Sequence, residues 1–543
     1  MKKKYLTWLK NCKKEKELFD ELSSIEDNEA EISDRFYKGL EFGTGGLRGT
    51  IGAGTNRMNI FTVGRATFGF GKYLKSKEAK PSVAIAYDSR YKSREFAFLT
   101  AEILSSMGIK AYVFNELTPT PVLSYAVRKL NTSGGIVITA SHNPKEYNGY
   151  KVYNEKGCQI TDEAAKAITE SIEEFGYFES YKPNQELIEV LYDEIFEQFV
   201  SEVQALSLRK VEKEFSPKIV YTPLHGTGRR SVLEILNRIG VTNLVLVKEQ
   251  EMPDCEFTTC PYPNPEERDA MNLALQYAKD CEADMFFATD PDADRIGIAV
   301  RDVSGEYRFL NGNETGILLM DYILEAKAEK GELGKNATVI KTIVTTDMAF
   351  EVAKNYGVQI EEVLTGFKYI GEKMDEIDNF VMGMEESYGY LVGKHARDKD
   401  AISATMLIAE MGAYYKAKGQ TLANVLDGLY EKYGYYTTEL ISIKYPGEKG
   451  MNDMRLILNG IRNTPFKTLL NKEVEYVDFL AGVNNLPKSN VLRFKNEDVN
   501  VLLRPSGTEP KLKIYLQVKT KDENLLTTTM DSLKEELDWL ISV

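Results

Sequence analysis

The segment ATDPDADRIG (residues 288–297) places three carboxylates, Asp290, Asp292 and Asp294, at alternate positions directly behind the apolar run ADMFFAT. In an extended turn, residues i, i+2 and i+4 converge on one point, and three hard oxygen donors suit Mg2+ better than zinc. An EF-hand loop needs Gly at 295 and Glu at 301, where this chain has Arg295 and Arg301. A phosphatase-type nucleophile loop needs Thr or Val at 294, which is Asp294. The plain alternative is an acidic loop that caps a helix. Arg295, next to the carboxylates, is placed to hold a phosphate.

A second cluster lies in GIVITASHNPKEYNGYKVYN (135–154). The apolar run Ile136–Ile138 stops at a polar break that delivers Ser141, His142 and Asn143, with Lys151 ten residues beyond the serine. Ser141 is a candidate nucleophile. It reads equally as a helix N-cap, because Ser or Asn before a Pro-led segment is good capping chemistry. RPSGTEPK (504–511) offers a guanidinium, two hydroxyls, a glycine amide and a lysine between two apolar strands. Arg504, Ser506, Gly507 and Thr508 there suit an anion, and a hairpin turn is the alternative. GTGGLRGTIGAGTNRMN (43–59) is not a dinucleotide fingerprint, since Arg48 stands where the third glycine belongs, and no P-loop is present. It reads as flexible backbone presenting Arg48. GMEESYGY (383–390) supplies Glu385, Glu386 and Ser387 as partners for sugar hydroxyls. It is no hydrolase elbow, because Glu385 replaces the required glycine. KHARDKD (394–400), with His395 and Lys399, reads by itself as a solvated face. All three histidines, His142, His225 and His395, fall in glycine- or proline-bearing polar clusters.

Elements must hold these clusters in place. Runs such as PSVAIAY (81–87), GGIVIT (134–139), PKIVYT (217–222), ADMFFAT (283–289) and ATVIKTIV (337–344) alternate with helix-like segments, which indicates βαβ units and mostly parallel sheets. Ligands gather at the carboxyl ends of such strands, where most of the clusters stand. The tail (499–543) reads as strand, tight loop, strand and helix, a separate α+β unit. With 543 residues, three or four domains are expected. The divisions fall at an N-terminal helical extension (1–34) and at domains 35–205, 206–320, 321–432 and 433–543. The first 22 residues read as one amphipathic helix lying on the body, without a signal-peptide core.

The formal charge of −14 and pI of about 5.1 argue against nucleic acid or an anionic membrane as partner. No apolar run approaches the ~18 residues of a membrane span. Five cysteines without CxxC spacing fit free thiols and a cytoplasmic location.

Together, a cation site, an anion loop, a sugar-reading loop and a serine describe metal-assisted phosphoryl transfer on a sugar. Here the chain resembles the α-D-phosphohexomutases. TASHNPKEYNGYK is similar to their phosphoserine loop, T-x-SHNP-x-x-x-NG-x-K. DPDADR is similar to their metal loop, EESYG to their sugar loop and RPSGTEPK to their distal phosphate loop, in the family's order. The resemblance implies a heart-shaped, four-domain α/β enzyme, with three related α/β domains of mixed sheets and a C-terminal α+β domain. It implies Ser141 as the phosphorylated residue, whose phosphate joins Asp290, Asp292 and Asp294 around Mg2+. Arg48, His142, Lys151 and Lys399 would serve catalysis. Arg295, Thr365, Gly366, Glu385, Ser387 and His395 would serve the substrate, and Arg504, Ser506, Gly507 and Thr508 the phosphate at rest. The implied reaction interconverts glucose 1-phosphate and glucose 6-phosphate through glucose 1,6-bisphosphate. The sugar loop favours glucose over mannose or glucosamine phosphates, although Met384 departs from the family's G-E-E-S. The long N-terminal region is similar to a subgroup in which some members prefer pentose phosphates. A phosphomannomutase or phosphopentomutase is the alternative, followed by a non-catalytic phosphosugar-binding protein and a sugar-phosphate phosphatase. The partner expected is a small phosphosugar; oligomeric state is not legible.

Overall fold

The computed structural model describes every residue except 446, 484–485, 507–510 and 542–543, and the side chains of 447 and 448. Gly507 and Thr508 thus lie outside the described residues. The first sheet contains β1 (Leu47–Thr50), β2 (Ser82–Tyr87), β3 (Lys110–Phe114), β4 (Gly134–Ile138), β5 (Tyr147–Asn154) and β6 (Ile188–Leu191), in the order β1-β5-β4-β2-β3-β6. The second contains β7 (Ile219–Thr222), β8 (Leu244–Leu246), β9 (Met285–Thr289), β10 (Ile296–Arg301) and β11 (Tyr307–Leu310), ordered β11-β10-β9-β7-β8. The third contains β12 (Thr338–Thr342), β13 (Gln359–Val363), β14 (Phe380–Glu385) and β15 (Gly389–Val392), ordered β13-β12-β14-β15.

One motif recurs in all three. A central strand (β2, β7 or β12) has parallel neighbours on both sides. The later neighbour (β4, β9 or β14) turns back into an antiparallel partner, β5, β10 or β15. Each of these three corners contains a non-glycine residue with left-handed backbone: Ser141 (φ 52°), Ala293 (φ 52°) and Tyr388 (φ 62°). The three related α/β domains that the resemblance implies are therefore visible as one corner used three times. The strands read as runs of apolar residues because helices cover both faces; β4, β9 and β12 are buried throughout.

The fourth sheet is antiparallel: β16 (Tyr435–Lys444), β19 (Glu475–Asp478), β20 (Leu492–Lys495), β21 (Val499–Pro505) and β22 (Lys511–Thr520) in the order β16-β22-β21-β20-β19, beside a small ribbon of β17 (Thr468–Leu469) and β18 (Lys472–Glu473). Helices Gly447–Asn463 and Asn524–Glu536 accompany it. It has its own core around Leu503, Ile514 and Leu533. A single apolar cluster runs through the first three domains, joining Leu123, Val232, Ile298, Leu319 and Met406. Helix Ala401–Ala417 is buried nearly all round within it, as its largely apolar sequence requires, with Glu410 accepting hydrogen bonds from Tyr322 and the Leu208 and Arg209 amides.

Three expectations change. The division at 320 falls inside one helix, Gly312–Glu329, which starts at a capping box formed by Asn311 and Glu314. The N-terminal helix is two helices, Lys2–Asn11 and Lys16–Ser24, broken at Cys12–Lys14, and a third, Glu29–Phe36, follows. The break lets Tyr5, Trp8 and Leu22 reach a shared core with Phe36 and Ala53. No helix follows Ser141: the chain turns and enters β5, which removes the N-cap reading. The five cysteines are free. Among the described residues, no helix is long and apolar enough to cross a membrane.

Candidate functional site

The three corners meet. Ser141, 4% exposed, donates from Oγ to Asp290 Oδ2 at 2.9 Å, although 149 residues separate them. The serine loop is built to project this hydroxyl. The Ser141 amide donates to Thr139 Oγ1 at 2.8 Å, and Asn143 N closes a turn onto Ala140 O at 3.1 Å. A Cβ at Gly149 would stand 2.4 Å from Thr139 O, so only glycine lets β5 press this close to the loop. His142 Nδ1 lies 3.2 Å from Ser141 Oγ. Burial, then the nearby Arg295 and Arg48 guanidiniums, hold the His142 imidazole well below its usual range, so it is neutral at pH 7.

Asp290, Asp292 and Asp294 are at most 1% exposed, and one oxygen from each lies within 4.8 Å of the others. Asp290 Oδ1 accepts from the Asp294 and Arg295 amides at 3.1 and 3.0 Å, which folds the loop around it. Burial, reinforced by Asp292 and Asp294, pushes the Asp290 carboxyl well above the usual carboxylate range. Burial acts on Asp292 in the same sense, but Lys151 together with hydrogen bonds involving Asp290 and Thr120 outweighs it and holds that carboxyl below the usual range. Asp292 Oδ1 and Asp294 Oδ1 have no hydrogen-bond partner among the described residues. Buried carboxylate oxygens without a hydrogen bond are costly, and among the described residues Asp294 Oδ1 has only Arg295 Nε, at 3.9 Å, facing it. Three of these residues offering hard oxygens to one point suit a divalent metal cation.

Cations line the other side. Lys151 Nζ, carried by β5, lies 2.7 Å from Asp292 Oδ2 and 3.5 Å from Asp294 Oδ2. Lys399 Nζ lies 3.1 Å from Asp294 and 3.0 Å from Asp398. Burial opposes the charge on both lysines, yet the facing aspartates hold their pKa values above the ordinary lysine range. The run KHARDKD is therefore no solvated face: His395, Arg397, Asp398, Lys399 and Asp400 are all at most 8% exposed. Their opposite charges pair with one another and with the metal loop, and this pairing permits the burial. Arg48 sits on the edge strand β1, opposite Gly149, not on flexible backbone; its exposed guanidinium donates to Asn143 Oδ1 at 3.0 Å. Arg295 pairs with Glu266.

The sugar-loop candidates are joined to the metal loop by backbone. Ile296 N donates to Tyr388 O at 3.2 Å, and Arg295 bridges to Gly389. Glu385, 5% exposed, ends β14; burial, opposed by Lys399 and aided by Glu386, pushes its carboxyl up to about 7. Glu386 Oε2 accepts from Thr342 and Thr345 at 3.2 and 3.3 Å. Ser387 lies between β14 and β15. Thr365 and Gly366 precede helix Phe367–Lys373; Thr365 Oγ1 is buried without a partner among the described residues, and Gly366 has φ 119°. Arg504 is opposite Lys513 in the β21–β22 ladder, and Ser506 N donates to Lys511 O at 2.8 Å. Burial and Arg504 both lower the Lys513 pKa.

Two histidines stand apart. His395 bonds Asp400 through Nε2 at 2.8 Å and meets Phe199 edge-on, with centroids 5.6 Å apart. Asp400 caps helix Ala401–Ala417. Those partners are a helix cap and a core aromatic, while Nδ1 is buried without a hydrogen-bond partner among the described residues. His225 likewise bonds Thr259 Oγ1 at 2.8 Å.

Sequence reasoning missed three residues. Arg90 is wholly buried beside Asp88 (3.2 Å) and donates to four carbonyls of the serine loop: Ser141 at 2.6, Asn143 at 2.5, Pro144 at 2.8 and Tyr147 at 3.1 Å. Thr120 donates from Oγ1 to Asp292 Oδ2 at 2.8 Å and from N to Asp292 O at 2.9 Å. Glu266 holds Arg295. Only Arg90 carried a signal, since YDSR follows an apolar strand.

Three copies of one strand corner, closed by an antiparallel domain, define a four-domain α/β protein whose repeated loops meet at one buried site. The models of phosphoglucomutase/phosphomannomutase domains I, II, III and IV match residues 39–177, 196–305, 311–433 and 463–529 in that order. A phosphoglucomutase from Staphylococcus haemolyticus is 37% identical over 89% of this chain and 91% of its own. One from Staphylococcus aureus is 34% identical over 95% of both chains. Among solved structures, a putative phosphomannomutase from Thermus thermophilus matches 93% of this chain and all of its own at TM-score 0.72 and 23% identity. The open form of parafusin, a phosphoglucomutase from Paramecium, matches 93% of this chain and 94% of its own at TM-score 0.72 and 20% identity. The chain belongs to the phosphoglucomutase/phosphomannomutase family.

Proposed function

We propose that this protein is a phosphoglucomutase, interconverting α-D-glucose 1-phosphate and glucose 6-phosphate through a phosphorylated Ser141 and glucose 1,6-bisphosphate. The observation that carries the reading is the Ser141 hydroxyl 2.9 Å from a carboxylate of a buried three-aspartate cluster. The names of its curated relatives support glucose as the sugar.

Phosphoserine gives its phosphoryl group to the free hydroxyl of a sugar monophosphate: the Oγ–P bond breaks as the sugar O–P bond forms. The bisphosphate turns over, and its other phosphoryl group returns to Ser141. Asp290, Asp292 and Asp294, with an oxygen on Ser141, would hold Mg2+, which neutralises charge on the group in transfer. Lys151, Arg48 and Lys399 add positive charge where negative charge develops. Neutral His142 can take a proton beside the serine oxygen. Glu385 and Ser387 meet sugar hydroxyls, while Arg295 and Thr365–Gly366 help to position the ring. Arg504, Ser506 and their loop grip the phosphate at rest. A second anion site far from the serine is required, because either end of the sugar must be held while the other reacts.

The test is isomerisation of glucose, mannose and ribose 1-phosphates side by side, with Ser141→Ala as the control. Glucose 1-phosphate is expected to give the highest kcat/KM. Intact-mass analysis should find one phosphate mapping to residue 141. Faster mannose or ribose turnover would move the assignment to a phosphomannomutase or phosphopentomutase. A Ser141→Ala enzyme of normal rate would end the phosphoserine reading.

A further inference from the structure

The two lysines that face the metal loop come from different domains, Lys151 from the first and Lys399 from the third. β5 carries Lys151 and Tyr153 two residues apart, paired with Val137 and Gly135 of β4, so both side chains leave the same face of the strand. Lys151 reaches Asp292 and Asp294 directly. Tyr153, 1% exposed, reaches into the third domain, where its hydroxyl donates to Asp398 Oδ2 at 2.8 Å. Beyond β5 the chain turns back, and Gln159, bridged to Tyr153, donates from Nε2 to the same oxygen at 3.2 Å. The neighbouring amide, Arg397 N, donates to Ser124 Oγ of the first domain at 2.8 Å. The other carboxylate oxygen, Asp398 Oδ1, accepts from Lys399 N at 2.9 Å and from Lys399 Nζ at 3.0 Å. The second carboxylate at that ammonium is Asp294, 3.1 Å away, which Lys151 also approaches and which belongs to the metal cluster. Asp398 lies outside that cluster, so its hold on Lys399 is not shared with a metal.

We propose, resting on the phosphoryl-transfer reading of the site, that Tyr153 and Asp398 are positioning residues for the Lys399 ammonium. β5 then sets both lysines beside the group in transfer, Lys151 directly and Lys399 through the Tyr153–Asp398 pair. The tyrosine hydroxyl fixes the rotation of the carboxylate, and the carboxylate fixes the ammonium. Tyr153, Asp398 and Lys399 are at most 6% exposed, so a lost partner leaves a gap in the interior.

Tyr153→Phe removes one oxygen and keeps the ring. Its crystal structure should show the Asp398 carboxylate turned and Lys399 Nζ displaced by about 1 Å, a shift large enough to slow the reaction. kcat for glucose 1-phosphate should fall ~10–100-fold, the range of one lost hydrogen bond to an ion and of such a misplacement. KM should stay near the wild-type value, because neither residue touches the substrate. In a Lys399→Met background the same change should cost no further rate, since the group it acts through is gone. Asp398→Asn, which keeps the shape of the side chain and removes its charge, should act in the same direction and serves if Tyr153→Phe does not fold. The proposal is overturned if Lys399 Nζ keeps its place in the variant crystal structure, or if kcat is unchanged. It is overturned too if the loss falls on KM alone, or if the Lys399→Met background shows the full loss again. A wild type that turns over no phosphosugar would end the mutase reading instead, and the crystal structure alone would then decide the placement.

Discussion

Arg90→Lys isolates how the serine is held. The guanidinium reaches four carbonyls through two nitrogens: Nη1 serves Pro144 and Tyr147, Nη2 serves Ser141 and Asn143. A lysine keeps the charge beside Asp88 but has a single nitrogen, which can occupy only one of these positions. Two carbonyls lose their donor. At ~1.5–3 kcal/mol for a hydrogen bond to a charged group, the loop loses up to ~3–6 kcal/mol of local support. The turns at Ala140–Asn143 and Pro144–Tyr147 keep their own backbone bonds, so the loop loosens without coming apart. A reacting group displaced by about 1 Å costs about 10²-fold in rate. We therefore expect kcat for glucose 1-phosphate to fall ~100-fold. KM should change little, because Arg90 contacts the loop and not the cleft. Steady-state kinetics at saturating glucose 1,6-bisphosphate measure both, and circular dichroism checks that the variant is folded. A folded Arg90→Lys enzyme with wild-type kcat would refute the clamp. So would a loss confined to KM.

Other expectations follow from the same geometry. Asp292→Asn should abolish Mg2+-dependent turnover, and chelation should inactivate the wild type reversibly; full activity in excess chelator would refute a metal role. Arg504→Ala should raise KM by ~10–100-fold, the worth of ~1.5–3 kcal/mol for a charged contact made equally in ground and transition states, and unaltered affinity for glucose 1-phosphate by calorimetry would remove Arg504 from the phosphate site. The Glu385 carboxyl, raised to about 7, is protonated below that pH and an acceptor above it. kcat/KM should therefore rise with pH through about 7, and Glu385→Gln should flatten that limb; His142 is already neutral there. A limb that persists in Glu385→Gln would assign the titration elsewhere.

Much of this was legible in the chain. Ser141, the aspartates and Glu385 stand at or just after the carboxyl ends of apolar strands, where a parallel sheet must deliver its chemistry. The cap of helix Gly312–Glu329 was legible too, as N-x-x-E at Asn311–Glu314, and using it would have moved the domain division. Thr120 and Glu266 were not, because they act on a loop 172 and 29 residues away in sequence; Arg90 had only its place after an apolar strand to mark it. Local spacing carries no record of such contacts. The run KHARDKD misled because charge normally means solvent; its burial depends on pairing within the run, on Asp375 and on Asp294 of the metal loop.

The left-handed backbone at Ser141 has a consequence for descent. At φ 52° a β-branched side chain is a severe outlier. Threonine, the smallest exchange that would keep a phosphorylatable alcohol, carries a backbone penalty of about 1–3 kcal/mol there. Serine, alanine and tyrosine occupy the three repeated corners, and none is β-branched. A lineage built on this corner can discard its nucleophile or reassign the loop to metal or sugar. Drift from serine to threonine carries the added cost of straining or rebuilding the bend.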